Sequence, residues 1–221
     1  MVNLSELRYP KKSHRKHVRL PQDSKNLAEF FGIMLGDGGI NNPWQATITV
    51  NAIKDARYAR FVSGLCRRLF GISAVIRKRK NRNALVIVLT STDVVDFLVS
   101  KGLCRGNKLK NGIRIPDWIL ANRDYKKACV RGLVDTDGCV FVHKHSVRGK
   151  MYRNVGLTFT SYSTEFLYQV AGIFEEFGIL PHISGSGRHI FIYRTDAVAK
   201  YLKIFGSSNN RIRSVYKRRG G

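Results

Sequence analysis

The sequence predicts an α+β fold built twice in one chain: an αββαββα unit duplicated about a pseudo-twofold axis, with one saddle-shaped antiparallel sheet in each half. Three observations carry this expectation. A helix-like segment with an acidic tip occurs as Phe30-Phe31-Gly32-Ile33-Met34-Leu35-Gly36-Asp37-Gly38 and again, 100 residues later, as Val130-Arg131-Gly132-Leu133-Val134-Asp135-Thr136-Asp137-Gly138. Thr92-Asp93 recurs as Thr195-Asp196, and Asn107-Lys108-Leu109-Lys110 as Asn210-Arg211-Ile212-Arg213, both at an offset of 103. Between these markers, helical and strand periodicities follow one another in matching order.

The elements follow from local chemistry. Asp23 or Ser24 is a cap for a first helix running to about Leu35. From Gln45 to Ala52, polar Gln45, Thr47, Thr49 and Asn51 alternate with apolar Ala46, Ile48 and Val50, the pattern of a half-buried strand. Phe61, Val62, Leu65 and Leu69 stripe a helix from about Asp55 to Phe70, which ends at Gly71. Strands near 73–80 and 84–91 flank Asn81-Arg82-Asn83, and Thr92-Asp93 opens a helix ending before Gly102. In the second half a helix from about Tyr125 to Thr136 precedes strands near 139–145 and 151–161. Ser163-Thr164 caps a helix with a Phe166, Leu167, Val170, Ile173 and Phe174 face, a hairpin turns near Gly185-Ser186-Gly187, and another helix starts at Thr195. The expected organisation is a basic arm (1–23), a first half (24–107), a connection (108–124) holding Ile115-Pro116-Asp117-Trp118-Ile119, a second half (125–213) and a basic tail (214–221).

A lone Asp-Gly is an ordinary turn dipeptide, but its repetition at the end of an apolar helix changes its meaning. Gly32 and Gly36, and Gly132 and Thr136, each four apart, put small residues on one face of each helix so that two backbones can approach closely. Gly38 and Gly138 are then expected as helix C-caps, leaving Asp37 and Asp137 at helix ends where free carbonyls and the dipole favour a cation. Paired carboxylates of this kind suit a divalent metal.

Composition bounds the function independently. The 221 residues, 43% hydrophobic, are enough for a real core. A net charge of +24, from 39 Lys plus Arg against 15 Asp plus Glu, points to a polyanion, nucleic acid first. Apolar runs are too short to cross a bilayer and no secretion signal is evident, so an intracellular protein is expected. Cys66, Cys104, Cys129 and Cys139 lie far apart without a Cys-x-x-Cys pair, and His14, His17, His143 and His145 lack acidic or thiol partners, so buried free thiols and no structural zinc are expected.

Both acidic segments resemble the signature of the LAGLIDADG homing endonucleases, in the single-chain form with two copies, over most of residues 24 to 213. The resemblance implies that Asp37 and Asp137 bind the catalytic metal, with backbone carbonyls of Gly36 and Thr136. The expected ion is Mg²⁺, with Mn²⁺ as a substitute and Ca²⁺ binding without turnover. An earlier Asp of the family consensus is kept as Asp135 but replaced by Leu35 in the first copy, a position not needed for metal. A basic residue beside each site helps to hold the attacking water, and the 103-residue offset nominates Lys108 and Arg211.

The expected function is thus a monomeric, site-specific double-stranded DNA endonuclease, intron-encoded, cutting across the minor groove to leave short 3′ overhangs in a long, non-palindromic target. Strand alternation nominates Gln45, Thr47, Thr49, Arg77, Arg79, Arg153 and Thr158 as DNA contacts. Alternatives are a maturase binding intron RNA and an inactive DNA-binding regulator of the same fold. An intein-borne enzyme is disfavoured because the sequence starts with Met and lacks a terminal His-Asn.

Overall fold

The computed structural model describes residues 17–219, so most of the expected basic arm, and the end of the expected tail, lie outside the described residues. The first half runs α1 (Lys25–Leu35), β1 (Gly38–Asn42), β2 (Gln45–Asn51), α2 (Ala56–Phe70), β3 (Val75–Lys78), β4 (Ala84–Thr90) and α3 (Thr92–Ser100). A one-turn helix, α4 (Asp117–Leu120), leads into the second half: α5 (Arg123–Asp137), β5 (Gly138–Val147), β6 (Lys150–Thr160), α6 (Thr164–Glu176), β7 (His182–Ile183), β8 (His189–Ile192), α7 (Thr195–Ile204) and α8 (Asn210–Arg219). Each half is αββαββα. The two four-stranded sheets, ordered β1-β2-β4-β3 and β5-β6-β8-β7, are antiparallel throughout and equivalent.

Short polar side chains start the helices. Ser24, Ser91 and Ser163 each accept a hydrogen bond from the backbone N–H three residues on. Between the two equally placed cap candidates, the fold uses Ser24.

Two expectations need correction. β1 escapes sequence reading because Gly-Gly-Ile-Asn-Asn has turn composition and no alternation. It is a strand because β2 pairs with it, Gly38 opposite Ile48 and Gly39 opposite Thr47. Nor is Gly38 a C-cap: α1 ends at Leu35 with Gly36 as cap, whereas Gly138 does cap α5 but in an extended conformation. Both residues are glycine because the chain doubles straight from helix into strand. A Cβ at Gly38 would lie 2.5 Å from Met34 Cα, and one at Gly138 2.4 Å from the Val134 carbonyl oxygen.

The centre of the molecule is the α1–α5 seam. Every residue of α1 from Leu27 to Leu35 is buried, since the helix has a partner helix on one side and a sheet on the other. Ile115 and Ile119 are fully buried in the connection, and Trp118 packs edge-on against Phe31 and Tyr125 while its Nε1 donates to the Lys101 carbonyl at 3.1 Å. The expected boundary at residue 213 falls inside α8, which continues to Arg219. Cys66 and Cys129 are buried free thiols, as expected, whereas Cys139 is exposed on the open face of β5. Among the described residues no helix is long and apolar enough to cross a membrane.

Candidate active site

The small residues of α1 and α5 bring two helix ends together. A Cβ on Gly32 would sit 2.0 Å from the Cys129 carbonyl oxygen, and one on Gly132 would sit 2.3 Å from that of Glu29. Gly36 faces Thr136 Oγ1 at 2.1 Å and the Asp137 carboxylate at 3.0 Å by the same construction. Asp37 and Asp137 therefore meet at the end of the seam, both partly buried. Among the described residues neither carboxylate accepts a hydrogen bond.

Two basic side chains close the site. Lys108 Nζ donates to the carbonyls of Leu35 at 2.6 Å and Gly38 at 3.1 Å, and also to that of Gly36. Arg211 donates from Nη1 to the Gly138 carbonyl at 2.9 Å and from Nη2 to that of Asp135 at 3.2 Å. Leu35 and Gly38 correspond to Asp135 and Gly138, so both cations cap the carboxyl ends of equivalent helices, where the backbone is electronegative.

Burial dominates the electrostatics. Desolvation, against the attraction of Lys108 and with the repulsion of Asp55, raises Asp37 from the ordinary 3.8 to about 6. Desolvation and then the charge of Asp37 raise Asp137 to about 7. Burial pulls the Lys108 ammonium down, partly offset by Asp137 and Asp37. Two carboxylates this close, desolvated and lacking donors, are hard oxygen ligands suited to Mg²⁺, Mn²⁺ or Ca²⁺. The Gly36 carbonyl points at Lys108, and the Thr136 carbonyl accepts a long 3.4 Å contact from Arg211 Nη2, so the carboxylates are the free donors of the expected ligand set. Among the described residues no group of three or more His, Cys, Asp or Glu side chains is placed to hold an ion, which leaves the two acidic tips as the candidate.

Because both carboxylates must ionise to hold a cation, affinity for Mn²⁺ or Ca²⁺ is expected to rise from about pH 5.5 and level off above about pH 7.5. Calorimetric titration of the DNA-free protein measures it, and a flat profile would show that these carboxylates are not the ligands.

Family models match each half separately: the LAGLIDADG-like domain over residues 124–213 and the WhiA LAGLIDADG-like domain over residues 28–114. The chain belongs to the LAGLIDADG family. Solved structures share its fold along most of its length. Among them are a mesophilic variant of the homing endonuclease I-DmoI (16% identity, TM-score 0.55, covering 84% of this chain and 98% of that one) and the meganuclease I-SmaMI bound to uncleavable DNA (10%, 0.56, 88% and 87%). The I-LtrWI LAGLIDADG homing endonuclease bound to target DNA is similar too (8%, 0.57, 87% and 88%). No curated protein sequence matches the chain.

In this LAGLIDADG chain the sheet faces turned away from the helices extend from the acidic tips. Register places Gln45, Thr47 and Thr49 of β2 on the open face of the first sheet, with Arg77 in the row of Thr49 and Val86. Arg79, whose N–H donates to the Ala84 carbonyl, joins the row of Asn51, and both arginines are exposed. Thr158 lies on the open face of the second sheet, opposite Cys139 and Phe191. Arg153 does not: it is five residues from Thr158, pairs with Lys144, and lies on the face that carries buried Val155, Leu157 and Phe159. Counting in twos along a strand from either residue separates them.

Sequence reading missed a buried polar network behind the second site. Asp135, 1% exposed, accepts from Ser208 N–H at 2.6 Å, Asn209 N–H at 3.1 Å and the Ser207 hydroxyl. Glu29 accepts from Arg131 Nη2 and Ser208 Oγ, both at 2.5 Å. Asp55 accepts from Asn209 Nδ2 at 2.8 Å and from Arg211 Nε at 3.2 Å, so a residue of the first half orients the basic side chain of the second. The available signal was Glu29, a charge inside the apolar run of α1. The LAGLIDADG halves thus differ here: Leu35 makes no such network in the first half, and desolvation holds Asp135 up at about 7 despite its donors.

Proposed function

We propose that this chain is a divalent-metal-dependent homing endonuclease that hydrolyses one phosphodiester in each strand of a specific DNA duplex. The observation that carries the reading is the pairing of Asp37 and Asp137 at the end of a glycine seam, each beside a cation anchored on its helix end. Their oxygens would hold Mg²⁺, which when bound polarises the scissile phosphates and acidifies coordinated water. I-DmoI, of the same fold, is described in complex with DNA and Mn and with DNA and Ca.

The chain's own residues supply the rest. The open faces of the two sheets meet the duplex, Gln45, Thr47, Thr49, Arg77 and Arg79 from the first and Thr158 from the second, and the charge of +24 attracts the phosphates. Lys108 and Arg211 orient the attacking water and offset negative charge as the phosphorus is attacked. Unlike halves read a non-palindromic target as a monomer. A regulator of the same fold would gain nothing from two desolvated carboxylates, which destabilise the folded chain when ionised.

Selection of cleavable sites from a randomised duplex library with Mg²⁺ tests this function. Discrete double-strand cuts are expected, and tight DNA binding without cutting would support the regulator instead. Lys108→Met is expected to slow single-turnover cleavage on the order of a hundredfold while shifting DNA affinity in Ca²⁺ less than about threefold. Equal losses in both would reduce Lys108 to a phosphate contact.

A further inference from the structure

The two halves share a fold but differ where their side chains meet. Among the described residues aromatic rings stack on the second sheet alone, His143 on His145 at 5.0 Å and Phe191 on Tyr193 at 5.2 Å between centroids. A second difference lies in the site itself and begins at the start of α2. Asp55 precedes that helix, and aspartate is among the residues best suited to cap one, yet its carboxylate makes no cap. Ser163, in the same place before α6, does cap, accepting from the Phe166 N–H at 3.3 Å. The side chain of Asp55, a residue 8% exposed, crosses instead to the other half, where Oδ1 accepts from Asn209 Nδ2 at 2.8 Å and from Arg211 Nε at 3.2 Å. Asn209 is itself held: Nδ2 also donates to the Asp135 carbonyl at 3.0 Å, and Oδ1 accepts from the Arg211 N–H at 2.9 Å.

We infer that Asp55 is the positioning residue of the second site, setting the plane of the Arg211 guanidinium so that a first-half carboxylate aims the cation that acts on one DNA strand. The inference rests on the proposed cleavage and names a support that only one of the two cuts uses. A guanidinium is flat and its donors point in fixed directions, so holding its three nitrogens leaves it one orientation. Asp55 holds Nε, the Gly138 carbonyl Nη1 and the Asp135 carbonyl Nη2. The bond to Nε is the one made to an anion, in a place where little water screens it. Nη1 carries a second N–H that no acceptor among the described residues takes, and it is left for the phosphate or the attacking water. Lys108 needs no such support, because an ammonium is a point charge without a plane to set. Among the described residues it donates to main-chain carbonyls alone. A buried ion pair can be no more than two charges satisfying each other, but that account does not explain why Asp55 forgoes the cap that its counterpart makes.

Single-turnover cleavage of a selected duplex in Mg²⁺, with a different label on each strand, compares the natural chain with Asp55→Ala, Asp55→Asn, Arg211→Met and Asp55→Ala/Arg211→Met. The Arg211→Met chain identifies the strand that this site serves. Asp55→Ala, which costs α2 no cap, is expected to slow that strand at least about tenfold and the other less than about threefold, so that nicked duplex accumulates. A chain that is merely destabilised slows both strands alike. Asp55→Asn keeps an oxygen for Arg211 Nε and Asn209 Nδ2 and is expected to stay within about threefold of the natural chain on both strands. In the double variant the alanine is expected to add less than about twofold to the Arg211→Met loss, since no guanidinium remains to be positioned. NMR of the Arg211 Nε–H group without DNA or metal reads the link apart from cleavage, with slow exchange expected in the natural chain and fast exchange in Asp55→Ala. If the natural chain cuts nothing while that proton is protected by Asp55, the cleavage reading fails and the hold of Asp55 on Arg211 stands. Equal slowing of both strands, additive losses in the double variant, or an Nε–H that exchanges as fast in the natural chain as in Asp55→Ala would overturn the inference.

Discussion

Asp37→Asn and Asp137→Asn are each expected to lower double-strand cleavage by on the order of a thousandfold, since a lost metal ligand removes several kcal/mol of transition-state stabilisation. DNA binding in Ca²⁺ should persist, because the sheet faces are untouched. The same variants are expected to be more stable than the natural chain without metal at pH 8. The folded state raises the Asp37 and Asp137 carboxyls from 3.8 to about 6 and about 7. Between the unfolded and folded values the folded chain binds more protons than the unfolded one, so stability falls as pH rises through that window. An amide escapes this loss. The gain is about 1–2 kcal/mol once partial solvation is allowed for, present above about pH 7 and absent near pH 4. Urea denaturation in EDTA at both pH values measures it. A variant that loses stability at pH 8 would show that the carboxylates are already paired inside the protein.

The glycine seam carries the largest effect on folding. Gly32→Ala and Gly132→Ala are each expected to cost at least about 3 kcal/mol, beyond ordinary overpacking, because each new methyl meets backbone carbonyls that cannot rotate away. Separating α1 from α5 also separates Asp37 from Asp137, so cleavage should fall with stability. Gly172→Ala, inside α6 with nothing within 4 Å of the added Cβ, is the control. It should gain about 0.5–1 kcal/mol from helix propensity alone. Three urea transitions decide the matter, and a Gly132→Ala chain as stable as the natural one would mean that the seam is loose.

What could be read before the structure was whatever lies close along the chain. The acidic tips, the alternation of β2 and the caps at Ser24 and Ser163 are local patterns, so their elements emerged nearly in place, whereas α3 is capped by Ser91, one residue ahead of the expected Thr92-Asp93. Asp55 shows the opposite case. It read as the opening of α2 and nothing more, yet its carboxylate makes no cap and turns to Asn209 and Arg211, more than 150 residues away. Lys108 and Arg211 were nominated by an offset between halves, but their anchoring on helix-end carbonyls depends on loops whose path no periodicity describes. Arg153 was misplaced for a smaller reason, a parity count along β6.

The sequence by itself determined that the chain is two similar halves of helices and strands with an acidic tip on each central helix, because repeated motifs and hydrophobic periods are written in neighbouring residues. Only the tertiary structure decided that the halves differ: a buried network clamps the second site, and aromatic rings gather on the second sheet alone. Those features join residues from separate strands and helices. Sheet register and helix packing, not sequence spacing, bring their side chains within hydrogen-bonding and stacking distance.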